Sequence, residues 1–214
     1  MRHLRNGFMV KEPSTKQRLN FEQAPSLVNR IDEAMVERKL RKPVNFTSPS
    51  VCTLKDREDF LKHTSRRAVE TISGGALESL VAFAANQRLP SPAWRAVGEQ
   101  GKKIDLINVR TGKKIMMATQ STTKNHSSKL GDKEKATASG ESDVEHVKFF
   151  ASGSANQLKR LFGFSKQDTE DIFRYFTCDM IAAQERYTTL MRSNSRFPDV
   201  MSQLAIRLPS FSTH

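Results

Sequence analysis

The order of patterns between Ala76 and Leu161 limits what this chain can fold into more than any other feature. It opens with a helix-periodic segment, Ala76 to Leu89, that puts Leu77, Leu80, Val81 and Ala84 on one face. Pro90 and Pro92 then force an extended path, because the residue before a proline avoids the helical region. Trp94 follows at once and is expected to be a core anchor. Three strand-like runs come next, 93–99, 103–109 and 114–119, with Thr111-Gly112 as a hairpin turn between the last two. A polar insertion at about 121–142 leads to a second helical segment, Val144 to Leu161. Strands this short need a helical layer to be stable. The expected unit is therefore α+β, ordered α-β-β-β-α. It has a small three-stranded antiparallel sheet with two helices on one face.

Helices are expected on both sides of this unit. One spans Ser26 to Lys42, capped by Ser26, with Leu27, Ile31, Met35 and Leu40 on one face. Its last turn carries Arg38, Lys39, Arg41 and Lys42, which suit the negative end of the helix dipole, and Pro43 stops it. Residues 45–50 read as a linker. Another helix spans Leu54 to Ile72 with Thr53 as its cap, and Gly74-Gly75 breaks it. The C-terminal helix runs from about Lys166 to Arg192, opened by Ser165 with Asp168, and is about 40 Å long. Ile172, Phe173, Phe176, Met180, Ala183, Tyr187, Leu190 and Met191 give it a broad apolar stripe, either for core packing or for a protein partner. The resulting organisation is a basic extension (1–25), a helical region (26–73), the central unit (76–163) and a C-terminal helix with its tail (165–214).

Charge narrows the functional classes. The 214 residues hold 35 Lys and Arg against 23 Asp and Glu, and this excess favours polyanions through attraction and counterion release. Cys52 and Cys178 match no metal spacing and read as reduced, buried thiols of an intracellular protein. No run of eighteen apolar residues suggests a membrane span. The basic N-terminus is compatible with a mitochondrial presequence, which Glu12-Pro13 weakens, or with a tail lying on RNA. The sequence has no phosphate-binding glycine loop, nucleophile elbow or paired histidines. The five His stand apart at 3, 63, 126, 146 and 214. Asp168, Glu170 and Asp171 sit where helix caps belong, so no catalytic residue, metal site or cofactor is expected.

The passage Leu89-Pro-Ser-Pro-Ala-Trp94 after a helix resembles the double-stranded RNA-binding domain. So does Val147-Lys-Phe-Phe-Ala-Ser-Gly-Ser-Ala-Asn-Gln-Leu158, where Lys148, Ala151, Ser152, Ala155 and Leu158 fall on the pattern of that family's second helix. The resemblance covers the central unit only and implies RNA as partner. It also departs from the family at each duplex contact. The acidic position of the first helix falls on Ala82. The loop between the first two strands is Gly101-Lys-Lys103, without the family's proline and histidine. The lysine run opening the second helix is reduced to Glu145-His-Val-Lys148. The insertion, with Lys124, Lys129, Lys133 and Lys135, either replaces those lysines or is an unstructured polar loop. Candidate RNA contacts are thus Arg38, Lys39, Arg41, Lys42, Lys102, Lys103, Lys124, Lys129 and Lys148. Two functions fit. One is a non-enzymatic RNA-binding or ribonucleoprotein-assembly subunit, such as an organellar ribosomal protein, with the divergent domain used partly for protein contacts. The other is a viral nucleocapsid-like protein that packages RNA.

Overall fold

Asp32 opens the first helix, α1 (Glu33–Leu40), by accepting the Met35 amide on its side chain at 2.7 Å. This computed structural model describes residues 17–45, 48, 51, 54–89, 91–97, 104–119, 144–149 and 154–208. The sequence pattern starts α1 at Ser26, but Val28–Arg30 form only a 3-10 turn. The cause is Asp179, whose carboxylate accepts Ser26 Oγ at 2.5 Å and the Leu27 amide at 2.6 Å. Ser26 is thereby engaged by a distant carboxylate and does not cap a helix.

The second helix, α2 (Arg57–Arg88), is continuous over 32 residues. The sequence breaks it at Gly74-Gly75, and the structure corrects that reading. A glycine inside a helix costs about 1 kcal/mol relative to alanine. Here the flanking turns are packed, and burying one Leu or Val side chain is worth about 1.5–3 kcal/mol. Val69, Leu77, Leu80 and Val81 are all buried around the two glycines. Asp56 is the cap, accepting the Asp59 amide at 2.9 Å, and the expected cap Thr53 lies outside the described residues. By length and composition α2 could also cross a membrane, but here it is a core helix.

The sheet has four strands and is mixed, where a three-stranded antiparallel sheet is expected. Strands β1 (Trp94–Ala96), β2 (Leu106–Asn108) and β3 (Lys114–Thr119) pair antiparallel in sequence order. Strand β4 (Val144–Phe149) then lies parallel to β3, with Met117 opposite Val147. Periodicity predicts a helix from Val144 to Leu161, and the chain instead divides into β4 and a short helix, α3 (Ala155–Phe162). The strand wins because Glu145, Val147 and Phe149 alternate onto the face that also carries Leu106, Ile115 and Met117. Parallel neighbours need a crossover of about a dozen residues or more, and residues 120–143 make that connection. The expected insertion at 121–142 falls within this stretch and lies outside the described residues. The β2–β3 turn is as expected: Gly112 has φ +70°, and Asn108 Oδ1 accepts the Arg110 and Thr111 amides at 3.1 Å each.

The two longest helices pack on each other. Helix α4 (Lys166–Ser193) starts with the expected capping box of Ser165 and Asp168. Most of its stripe is core: Ile172, Phe176, Ala183, Tyr187 and Met191 are buried, Met180 and Leu190 are half-buried, and Phe173 is exposed. Helix α5 (Phe197–Arg207) turns back and buries Phe197, Val200 and Leu204.

Polar groups fix the joints. Asn86 in the last turn of α2 holds β1 from both sides. Its Oδ1 accepts the Ala93 and Trp94 amides at 2.9 Å each, and its Nδ2 donates to Trp94 O at 2.9 Å. The Trp94 ring meets Phe162 edge-on, with centroids 4.9 Å apart. Arg88 and Asp168 form a buried ion pair between the end of α2 and the start of α4, and Arg88 Nη1 also donates to Gln17 O at 2.6 Å. Burial alone would raise the Asp168 carboxyl. The Arg88 guanidinium and the Ser165 amide and hydroxyl outweigh it and lower the pKa.

Two stability changes of opposite sign follow. Trp94→Ala should cost about 3–5 kcal/mol in denaturant unfolding, because Trp94 is buried and its ring packs edge-on against the buried Phe162. Tyr187 is fully buried, and its hydroxyl has no hydrogen-bond partner among the described residues. Burial pushes its pKa up to about 12. Tyr187→Phe removes a desolvated hydroxyl and keeps the ring, so it should raise stability by about 1 kcal/mol. A loss of stability in the Phe variant would show that the hydroxyl is satisfied.

Candidate nucleic-acid interface

The basic cluster at the end of α1 divides once the fold is formed. Glu37 accepts Arg41 Nε at 2.9 Å, Arg196 Nε at 2.8 Å and Asn194 Nδ2 at 2.9 Å. The Asn194 hydrogen bond, followed by that of Arg41, holds the Glu37 carboxyl at about 2 despite some opposing burial. Arg41 is therefore part of the joint between α1 and the α4–α5 corner. Arg38 folds back, donating Nε to Ala34 O at 3.2 Å, and remains exposed. Lys39 and Lys42 are exposed as well.

Lys39 acts electrostatically on α2. Its ammonium is one of three cations that bear on His63, a half-buried residue of α2, and the other two are Arg66 and Arg67. Burial is the largest influence on His63 and lowers its pKa. Arg66, Arg67 and Lys39 lower it further, and Glu70 opposes them. No described residue hydrogen-bonds to the imidazole. Lys62, one turn before Arg66, is exposed on the same helix. Glu70 touches both arginines only loosely, at 3.6 Å to Arg66 Nε and 3.5 Å to Arg67 Nη1, and all three side chains are solvated. Exposed pairs of this kind are worth about 0–1 kcal/mol and yield readily to a stronger anion.

The result is a cationic face made by Lys39 of α1 with Lys62, Arg66 and Arg67 of α2, around a neutral imidazole. Sequence reading finds Lys39 but misses the other three. Their signal is visible in hindsight: Lys62 and Arg66, like His63 and Arg67, stand four apart on a helix whose buried side is Phe60, Leu61, Thr64 and Ser65.

Lys102, Lys103, Lys124 and Lys129 lie outside the described residues. Lys148 lies within β4 and does not open a helix, which corrects its expected place. Ala82, on the first-helix contact position, is buried. Glu145, also in β4, is occupied structurally, pairing with Lys113 Nζ at 2.7 Å, with Arg160, and with Gln157 Nε2 at 3.0 Å. Burial raises the Glu145 carboxyl, but hydrogen bonds from Lys113, Gln157 and Arg160 prevail and hold it at about 2. Among the described residues no three His, Cys, Asp or Glu side chains group as a metal site would require.

Comparison with protein-family models, with curated proteins and with solved structures finds no match for this chain.

The two anchoring carboxylates set an acid limit. Glu37 and Glu145 are both depressed from 4.5 to about 2 in the folded chain. A depressed carboxylate stabilises the fold above its unfolded pKa, and that contribution is lost as pH falls from about 4.5 through about 2. Urea midpoints measured across this window should fall with pH, and the decline should be shallower in Glu145→Gln. An unchanged slope in that variant would remove Glu145 from the account.

Proposed function

We propose that this chain is a non-enzymatic RNA-binding protein that holds the phosphate backbone on the α1–α2 face and serves as a ribonucleoprotein subunit. The observation that carries this reading is the exposed row of Lys62, Arg66 and Arg67 along one side of α2, beside the half-buried His63, with Glu70 held only at 3.6 Å and 3.5 Å by the two arginines. Like charges repel, so gathering them works against the fold unless an anion is to be held there. The net charge of +12 extends the attraction beyond that face.

Binding of this kind is independent of base sequence. Stacking on aromatic rings is the usual means of holding unpaired bases. Among the described residues the exposed aromatic is Phe173, and it belongs to α4. The α1–α2 face thus offers charge without stacking. The resemblance of residues 76–161 to the double-stranded RNA-binding domain is not what supports the proposal. The parallel β4 departs from that family's sheet, and Lys148 is not at a helix start.

The test is a charge reversal with a matched control. Lys39→Glu, Arg66→Glu and Arg67→Glu together should weaken oligo-uridylate binding and flatten the dependence of log K on log salt by about three units, one per lost contact. Lys159→Glu, Lys166→Glu and Arg174→Glu change net charge equally at exposed positions of α3 and α4 and should have a much smaller effect. Equal losses in the two variants would reduce the interaction to net charge and overturn the assignment of the face. Counting chains per RNA in the same titration separates a subunit at a defined site from a protein that coats the strand.

A further inference from the structure

We propose that α4 pairs antiparallel with α4 of a second copy of this chain, through the stripe Phe173, Thr177, Met180, Ile181, Gln184 and Thr188. These residues recur at helical spacing and none carries a charge. Phe173, Thr177 and Ile181 are exposed, and Met180, Gln184 and Thr188 are half-buried. Ile181, at the middle of the stripe, is 54% exposed. The described polar and ring contacts of this part of α4 lie on other sides of the helix. Tyr175 stacks on Phe21, Asp179 takes Ser26 and Leu27, and Arg186 donates to Ile31 O. Cys178, which sequence reading expects to be buried, is exposed beside Thr177, so this side of the helix faces solvent.

Charge identifies the occupant. A chain of net charge +12 repels its own kind over much of its surface. The uncharged stripe is where two copies approach without that cost. Its flank is also self-complementary. Arg174 and Glu185 are both exposed on one side of it, and neither has an ion-pair partner among the described residues. They stand about 16 Å apart along their own helix and do not reach each other. The midpoint of the stripe falls between Met180 and Ile181. A two-fold axis at that point brings the second copy's Glu185 within two residues of Arg174, an offset of about 3 Å along the helix. The converse pair forms at the other end, because a two-fold interface makes each contact twice. A parallel partner in register would set Arg174 against Arg174 instead. One helix face is a narrow contact beside the about 800 Å² per partner of a standard interface, so the dimer dissociates on dilution. The RNA titration above, at lower chain concentration, therefore reads the single copy.

Sedimentation equilibrium of the RNA-free full chain over a concentration series tests the pairing. The native chain should pass from monomer to dimer as concentration rises. Ile181→Asp places a charge at the centre of the contact and should raise the dissociation constant at least about tenfold. An unchanged thermal midpoint would show that this exposed substitution leaves the fold intact. Arg174→Glu and Glu185→Arg each set like charges opposite one another and should each associate more weakly alone. An equimolar mixture of those two variants should regain association, because both flanks of the mixed dimer again carry opposite charges. A native chain that stays monomeric at every concentration, or a dimer that Ile181→Asp leaves unchanged, would overturn the proposal. A mixture that associates no better than its components would overturn the antiparallel pairing.

Discussion

Burial of α2 on more than one side is the constraint from which the other elements take their positions. At about 1.5 Å per residue its 32 residues extend about 48 Å. The two halves differ in character. From Ala76 to Ala85 the buried positions are Ala76, Leu77, Leu80, Val81, Ala82, Ala84 and Ala85, which encircle the helix. A helix buried all round needs cover on several faces, and α4 and the sheet provide it. From Phe60 to Val69 the buried positions keep to one side, and Lys62, Arg66 and Arg67 occupy the other. Gly74-Gly75 lies at the change between these halves. The same helix is thus core at its C-terminal end and surface at its N-terminal end, so the cationic face stands on a rigid support.

Apolar packing alone would let such a helix slide or rotate, and polar contacts prevent it at both ends. Asn86 satisfies three backbone groups of Ala93 and Trp94 at once, fixing where β1 begins. Arg88 and Asp168 are both buried, and removing either partner would strand a charge away from water at a cost of about 3–5 kcal/mol. At the opposite end Arg192 reaches Glu58 at 2.7 Å, and Arg186 donates to Ile31 O at 2.8 Å. These contacts set α1 and the first turns of α2 against the same stretch of α4.

Features decided by neighbours in sequence were legible, and features decided by distant partners were not. The Ser165-Asp168 capping box, the apolar stripe of α4 and the Thr111-Gly112 turn each depend on residues within a few positions, and each stands where the pattern puts it. Burial of Trp94 was legible too, since the size of its ring makes exposure costly. Strand β4 was not legible. Val144 and Val147 satisfy a helical spacing as well as Val147 and Phe149 satisfy a strand spacing, and pairing with β3 across residues 120–143 decides between them. The start of α1 was misplaced for a similar reason, because Asp179 acts on Ser26 from far along the chain.

The interface shows the same division at the level of single charges. A run of four cations at 38–42 reads as one patch, yet its members part company in three dimensions. Glu37 binds Arg41 together with Arg196, so the positive charge those two add is cut by half and fixed in a structural joint. Lys39 lies on the other side and adds to the charge of α2. A linear count of basic residues therefore overstates the α1 cluster and misses the α2 contribution. What makes a cation available to a phosphate is the absence of a committed carboxylate. On this face Glu70 is shared between two arginines at 3.6 Å and 3.5 Å, whereas Glu37 is held by three donors at 2.9 Å or less. The distinction rests on geometry that only the folded chain provides: Arg41 is fixed in a joint by Glu37, and Arg66 and Arg67 share one loosely held carboxylate.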